Sequence, residues 1–247
     1  MIEQLAPGLN AFTCRFETKI LDKVNASYDQ QVCEQLERSL PESWHQGGHD
    51  IFGALSGSGD NYFAASYGTN PLMWISCDSY IEYERFSRFY QDLNIETDIR
   101  RLIDCKEAVE VFSGFFVVGR QANDTLWHVD YKAGAQAFTL ITPLQSPSPY
   151  HGNLLYKDAA GETQTYFYQQ GEAILFGPGF VHATEPYAPS EENRVLLSLT
   201  FGSDKKEHWE LIEKRVGSQS RHLSYPGLGW RYNRLLPPAS GQNGVTI

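Results

Sequence analysis

The chain has 247 residues, of which 41% are hydrophobic and 13% aromatic, a composition typical of a globular protein and not of a disordered one. A chain of this length can bury one substantial core. The formal net charge of −10 argues against nucleic acid as the main partner, because phosphate binding requires concentrated lysine and arginine. No apolar run approaches the roughly 18 residues that cross a bilayer, so no membrane partner is expected.

The first residues and the cysteines predict a cytoplasmic protein. Residues 1–12 lack the layout of a secretory signal, in which basic residues precede an apolar run. The four cysteines, Cys14, Cys33, Cys77 and Cys105, are scattered and form no CxxC pair. We expect them to be reduced thiols of the core.

Up to about residue 110 the hydrophobic periodicity is mostly helical. Val32, Leu36 and Leu40 share one helical face, and Pro41 follows them. A later segment begins with Ser79, which is followed by Glu82 in the pattern of a capping box. Apolar side chains then recur at helical spacing, at Tyr83, Phe86, Tyr90 and Leu93. The sequence therefore predicts two helices here, and a further turn or two near residues 99–103.

Between these helices, residues 44–63 are rich in glycine and polar side chains and predict a loop. His45, His49 and Asp50 lie within it and superficially resemble a metal cluster. The glycines between the two histidines argue against a helix that presents both side chains. A position near the mouth of a functional site is the alternative.

From Val109 the pattern changes to eight short β segments, rich in β-branched and aromatic residues and separated by turn residues. Their spacing predicts a jelly roll or related barrel, so the fold class is α+β. The segments are residues 109–119, 125–131, 136–144, 153–158, 163–169, 172–177, 180–184 and 194–202. Residues 158–162 read as a hairpin turn between two of them.

The whole chain, residues 1–247, is expected to form a single domain. A helical part covers about 1–110, the β core about 111–202, and a C-terminal helix and tail 203–247. Ser203 is the expected N-cap of that late helix.

Two ligand-type side chains stand two residues apart in the second β segment. His128 and Asp130 would point to the same face of a strand, where an imidazole and a carboxylate form two corners of a metal site. His182, 54 residues further on, begins a late strand that a rolled sheet can bring beside an early one. Two histidines and one carboxylate form the facial triad, which leaves positions on Fe(II) open.

Arg194 begins the last strand of the core. By alternation it shares a face with Leu196, Ser198 and Thr200, and a buried arginine needs an anion. A guanidinium binds a carboxylate through two parallel hydrogen bonds. The alternative is a structural salt bridge with a carboxylate such as Glu185.

Because they contain these four residues, residues 111–202 resemble the double-stranded β-helix core of the Fe(II)/2-oxoglutarate-dependent dioxygenases. The matching stretches are residues 128–130, 151–156 and 171–186, and then Arg194 with Ser198. The resemblance implies that His128, Asp130 and His182 bind Fe(II) and that Arg194 binds the far carboxylate of 2-oxoglutarate. Ser198 departs from the family, which often has its serine two residues after the arginine.

The resemblance also implies an oxidoreductase that uses O2 and 2-oxoglutarate, releases succinate and CO2, and hydroxylates a small molecule or amino-acid-type substrate. Because the carboxylate ligand Asp130 is present, hydroxylation is favoured over halogenation. Two other classes stay open. One is a cupin-like metalloenzyme that does not use 2-oxoglutarate, against which Arg194 argues. The other is a non-catalytic jelly-roll binding module, against which the intact ligand set argues.

The C-terminal tail is basic and aromatic. From Lys214 onward it has no acidic residue and five basic ones, while the rest of the chain has 15 basic and 30 acidic residues. The basic residues are Lys214, Arg215, Arg221, Arg231 and Arg234. An irregular segment that is this aromatic is expected to pack back on the body. It would form either a structural strap outside the barrel or a lid that meets an anionic substrate.

Overall fold

The computed structural model describes residues 1–39, 46, 48, 50–55, 58–59, 61–67 and 71–233. The helices are α1 (Asp22–Tyr28), α2 (Glu34–Ser39), α3 (Tyr80–Asp92), α4 (Glu96–Ile99) and α5 (Trp209–Gly217). A π-helical turn, Asp29–Cys33, joins α1 to α2. Single 3-10 turns, Thr18–Leu21 and Lys206–His208, precede α1 and α5. Among the described residues, no helix combines the length and apolar character that crossing a bilayer requires.

In the part of the chain that the structure describes, fourteen strands form three sheets. The first seven are β1 (Glu3–Gln4), β2 (Ala11–Arg15), β3 (Ile51–Ala54), β4 (Tyr62–Ser66), β5 (Leu72–Cys77), β6 (Val109–Gly119) and β7 (Ala137–Pro143). The others are β8 (Leu154–Lys157), β9 (Thr163–Tyr166), β10 (Glu172–Phe176), β11 (His182–Thr184), β12 (Arg194–Ser203), β13 (His222–Tyr225) and β14 (Gly229–Tyr232). The large sheet has nine strands in the order β1-β2-β10-β7-β12-β6-β5-β4-β3, and β11-β8-β9 form a second sheet.

The two faces of β12 separate the helical layer from the interior between the sheets. Val195, Leu197, Leu199 and Phe201 belong to the main hydrophobic core, together with buried residues of α1 and α3. Leu196 belongs to a second core, in which β6 and β10 of the large sheet meet β8 and β9 of the small one. Two packed sheets with helices on the outer face make the α+β double-stranded β-helix that the sequence predicts.

Several local predictions are confirmed. The side chain of Ser79 caps α3 by accepting a hydrogen bond from the backbone of Glu82. Within the predicted apolar stripe, Phe86 and Tyr90 of α3 are buried, Tyr83 is half-buried, and Leu93 is buried directly after the helix. Residues 158–162 connect β8 and β9, which pair antiparallel. All four cysteines are free thiols.

Other local predictions are wrong. Residues 44–63 are not all loop, because β3 and the start of β4 lie there and extend the large sheet beyond β5. Residues 125–131 form no regular strand. Ser203 is the last residue of β12 and not a helix cap, since α5 begins at Trp209. The tail is not irregular throughout, because β13 and β14 form a hairpin. Leu40, Pro41, His45, His49 and Arg234 lie outside the described residues.

Candidate metal centre

The backbones of His128 and His182 pair with each other. Each backbone N–H donates to the other residue's carbonyl at 3.0 Å, an isolated antiparallel bridge at the start of β11. A further hydrogen bond joins the two segments, because the N–H of Gly179, in the turn before His182, donates to the carbonyl of Tyr131 at 3.1 Å. Gly179 has a φ of +79°, a conformation that glycine adopts without strain. The early and late segments are therefore neighbours, as predicted, although the early one is not a strand.

Both imidazole rings are oriented in the same way. Nδ1 of His128 lies 2.8 Å from the carbonyl oxygen of Leu126, and Nδ1 of His182 lies 3.1 Å from that of Phe180. A carbonyl only accepts, so each hydrogen bond requires the proton on Nδ1. Each Nε2 is then left with a free lone pair, which is the form that binds a metal.

Asp130 completes the cluster from between the two histidines. Its Oδ1 lies 3.6 Å from Nε2 of His128 and 3.9 Å from Nε2 of His182. Its Oδ2 accepts a hydrogen bond of 2.6 Å from the hydroxyl of Thr139 on β7. Arg215 of α5 donates to Oδ1 at 2.6 Å. Thr139 thus holds one carboxylate oxygen, while the other oxygen, which pairs with Arg215, faces both imidazoles.

Burial and nearby charges set the pKa values of His182 and Asp130. Burial lowers the pKa of His182 to about 4, with Asp130 opposing the shift, so this imidazole is neutral at pH 7. Burial alone would raise the pKa of Asp130, but Arg215, His182 and the Thr139 hydroxyl together hold it below its ordinary value. The side chain of His128 is 44% exposed, whereas those of Asp130 and His182 are 5% exposed. The centre is therefore open to solvent on one side.

The ligand atoms of His128, Asp130 and His182 all lie within 4.8 Å of one another. Two imidazole nitrogens and one carboxylate oxygen on one side of an open space suit a divalent transition metal such as Fe(II). A second group within the described residues, Asp104 with Glu207 and His208, is mostly exposed. There the Asp104 carboxylate already pairs with Lys205 and His208, so it is an ordinary surface ion pair.

Arg194 lies on β12 and faces the same cavity as the cluster. The cavity is lined by Arg194, Leu196, Ser198 and Thr200 of β12 and by the three ligand-type residues. This is the face that alternation along β12 predicts. Ser198 is buried, in register with Phe115 of β6 and Ile141 of β7. The structure thus brings together all five residues that the sequence singles out.

The guanidinium of Arg194 is buried, and no carboxylate of the described residues pairs with it. Only 4% of the residue is exposed, and no Asp or Glu among the described residues lies within 4.0 Å of it. Glu185, the partner considered from the sequence, instead accepts hydrogen bonds from Asn153. Aromatic rings flank the charge, with the Tyr168 centroid at 5.3 Å and the Tyr187 centroid at 5.9 Å from Cζ. A buried cation in this state is a candidate site for an anion.

A second cavity, of about 350 Å³, is also lined by Arg194. Its lining includes His151, Asn153 and Tyr168. Burial lowers the pKa of His151, and the charge of Arg194 acts in the same direction. Arg194 therefore lines both this second cavity and the one that contains the cluster, which we call the metal cavity below.

Two residues of the site are not apparent from the sequence. Thr139 supports the carboxylate of Asp130, and alternation along β7 would have placed it on the cavity face beside Ile141. Arg215 is visible in the sequence only as one of several basic residues near the C-terminus. Its partner Asp130 lies 85 positions away, and no local pattern indicates such a pair.

No known family model matches the sequence, and no curated protein matches it. Solved structures do share its fold. AviO1 from Streptomyces viridochromogenes Tue57 is 13% identical, with a TM-score of 0.52 over 78% of this chain and 90% of that chain. SnoN, a non-heme alpha ketoglutarate dependent epimerase from nogalamycin biosynthesis, is 12% identical, with a TM-score of 0.51 over 79% and 78%.

HygX from Streptomyces hygroscopicus, solved with nickel and 2-oxoglutarate bound, is 12% identical. Its TM-score is 0.50, over 79% of this chain and 83% of that chain. At such low identities the similarity establishes the fold alone. The chain therefore has the double-stranded β-helix fold found in SnoN and HygX.

Proposed function

We propose that this protein is an Fe(II)- and 2-oxoglutarate-dependent oxygenase that hydroxylates a C–H bond of a small molecule or amino-acid-type substrate. One observation carries the proposal. The cluster of His128, Asp130 and His182 opens on the same cavity as Arg194, a buried cation with no carboxylate partner among the described residues. A molecule that chelates a metal at one end and carries a carboxylate at the other would fit the cluster and Arg194 together.

Each residue has a defined role in this proposal. Nε2 of His128, Nε2 of His182 and Oδ1 of Asp130 hold Fe(II), while Thr139 keeps the Asp130 carboxylate in position. A bound Fe(II) would supply oxidising chemistry that consumes O2 and 2-oxoglutarate, with one oxygen atom going to the substrate and the other to succinate, which forms together with CO2. Arg194 binds the far carboxylate of 2-oxoglutarate through charge-assisted hydrogen bonds, and Ser198 contributes a hydroxyl from the same face of β12.

Solved structures with the same fold support Fe(II) and 2-oxoglutarate as the cofactors of the proposed reaction. They do not distinguish hydroxylation from other reactions, so the product has to be measured. HygX holds nickel and 2-oxoglutarate. SnoN is an alpha ketoglutarate dependent epimerase, so one fold serves more than one outcome. Hydroxylation is favoured over halogenation here because Asp130 fills a coordination position that a halide would need.

The test is to reconstitute the purified protein with Fe(II) without oxygen, then admit O2 with 2-oxoglutarate and a panel of candidate substrates. We expect substrate-stimulated succinate release and a product that is heavier by one oxygen, both measured by mass spectrometry. A product of unchanged mass would point to epimerisation. Turnover without 2-oxoglutarate would indicate a cupin-like enzyme, and a protein that binds no metal would indicate a binding module.

A further inference from the structure

Arg215 reaches the metal cavity from outside the β core. It lies in the last turn of α5 and lines the cavity together with the ligand-type residues and Arg194. The helix is held in place, because Ile212 and Val216 are buried in a hydrophobic cluster with Phe112 of β6. The hydroxyl of Ser218 donates to the carbonyl of Arg215 at 2.8 Å and secures the end of α5. The guanidinium is thus presented from a fixed position.

Arg215 pairs with the oxygen that a metal would need. Its Nη2 lies 2.6 Å from Oδ1 of Asp130, and the same oxygen faces Nε2 of both histidines. Among the described residues, Asp130 is the carboxylate within 4.0 Å of Arg215. A divalent ion at Oδ1 takes over the negative charge of Asp130. When a metal binds, the Asp130 carboxylate therefore no longer neutralises the charge of Arg215.

The other charged groups in the cavity do not provide a new negative charge for Arg215. This step rests on the proposed function. Two positive charges on Fe(II) and one on Arg194 are balanced by Asp130 and the two carboxylates of 2-oxoglutarate. One positive charge, that of Arg215, is left over, on a side chain that is only 34% exposed. Asp124 also lines the cavity, but it is exposed and forms no ion pair with Arg215.

We propose that Arg215 binds a carboxylate of the substrate, and that the substrate of this protein is a small carboxylic acid. A half-buried guanidinium that has lost its partner gains most from a new anion, which it can hold through two parallel hydrogen bonds. One carboxylate carries the single negative charge that the cavity lacks, whereas a phosphate dianion would exceed it. Because Arg215 contacts a metal ligand directly, the bound acid lies beside the metal.

The competing role for Arg215 is to position Asp130, as Thr139 does. The two roles predict opposite effects on the metal. If Arg215 exchanges partners, its charge opposes the incoming cation, and Arg215→Gln binds a divalent ion as tightly as the wild type or more tightly. If Arg215 positions Asp130, the same substitution weakens metal binding by tenfold or more.

The experiment uses calorimetry on protein loaded with Mn(II) and saturated with 2-oxoglutarate. The probes are small carboxylic acids, each compared with its own primary amide. We expect at least one acid to bind tenfold or more tightly than its amide, and Arg215→Gln to abolish the preference. Lys214→Ala is the matched control, because it removes one charge from the exposed neighbour on α5, and it should retain the preference.

Three results would overturn the proposal: no acid is preferred over its amide, the preference survives Arg215→Gln, or Arg215→Gln weakens Mn(II) binding tenfold. Failure of the proposed function is seen separately. If 2-oxoglutarate does not bind the Mn(II)-loaded protein, the proposed function fails at the loading step. The acid and amide pairs are then compared on Mn(II)-loaded Arg194→Ala protein, where Arg215 is the arginine that remains among the described residues lining the cavity, and on the Arg194→Ala, Arg215→Gln double variant, which reports any binding to Mn(II) alone.

Discussion

The backbones of His128 and His182 donate hydrogen bonds to each other's carbonyls at 3.0 Å, and their ring centroids lie 4.3 Å apart. The pairing belongs to the main chain, so it survives replacement of either side chain. Phe176 and Phe180 pack against the ring of His182 on its buried side. The backbone pairing and the packing of these two phenylalanines therefore fix where the rings lie.

From this pairing we predict that His128→Ala, Asp130→Ala and His182→Ala each weaken binding of Mn(II) or Fe(II) at least 100-fold while the protein stays folded. Calorimetry measures the affinity, and circular dichroism checks the fold. His128→Ala is the cleanest of the three, because that side chain is the most exposed. His208→Ala is the control and should bind metal normally. Wild-type affinity in any of the three variants would remove that residue from the site.

Thr139→Val tests the support of the carboxylate. Valine has the shape of threonine but lacks the hydroxyl that donates to Oδ2 of Asp130 at 2.6 Å. Loss of a partner of this kind weakens metal binding by about 10–100-fold. Calorimetry with Mn(II) measures the effect. Thr142→Val, on the opposite face of β7, also removes a buried hydroxyl and should leave the affinity unchanged.

Arg194→Ala tests the binding of 2-oxoglutarate. The substitution leaves a buried carboxylate without its cation, at a cost of about 2–5 kcal/mol, or roughly 30-fold or more in affinity. Calorimetry on Mn(II)-loaded protein measures this, and Mn(II) affinity itself should not change. Arg194→Lys should recover part of the affinity but not the geometry of two parallel hydrogen bonds. Unchanged binding in Arg194→Ala would mean that another basic residue holds the far carboxylate.

The sequence predicts the site well where the information is local or belongs to a motif. Alternation alone places Arg194 and Ser198 on the cavity face of β12, and the spacing of His128 and Asp130 suggests a shared face. The prediction that His128 and Asp130 share a face is correct, but the reason given for it, a regular strand, is not. Residues 125–131 are not a strand, and the two side chains converge because the backbone of His128 is anchored to His182.

The features that the sequence does not predict depend on contacts between residues that are far apart in the chain. Residues 51–54 and 62–66 lie among glycine and polar residues that favour a loop. They become strands because β5 pairs with β6 and extends the large sheet towards them. Strand formation of this kind follows from the neighbouring strand more than from intrinsic preference. The Arg215–Asp130 pair and the C-terminal hairpin are missed for the same reason.

The buried cysteines give a prediction about reactivity. Burial raises the pKa of Cys14 and of Cys77 to about 12, so both remain protonated, and unreactive, at pH 8. Cys33 and Cys105 are only partly buried. We expect iodoacetamide at pH 8 to label Cys33 and Cys105 of the native protein first, and Cys14 and Cys77 only after unfolding. Peptide mapping by mass spectrometry measures this, and rapid native labelling of Cys77 would contradict it.

The C-terminal hairpin is fastened to the body at Asp78. The side chain of Asp78 is completely buried and accepts hydrogen bonds from Arg221 and from Nδ1 of His222, the latter at 2.7 Å. The ring of Trp230 packs on Tyr83 of α3 at 4.5 Å between centroids. The charge of Arg221 is thus matched by a carboxylate of the body, which favours the structural strap over the lid for residues 217–233.

Asp78→Asn should therefore destabilise the fold without affecting the metal site. The amide keeps the shape but removes the charge that matches Arg221, at a cost of about 2 kcal/mol because Arg221 remains partly solvated. For a chain of this size that lowers the Tm by about 4–8 °C, measured by calorimetry. Asp92→Asn, the same change in the exposed pair with Arg88, should shift the Tm by less than about 1 °C. A normal Tm combined with 2-oxoglutarate decarboxylation uncoupled from substrate oxidation would instead identify the hairpin as a lid.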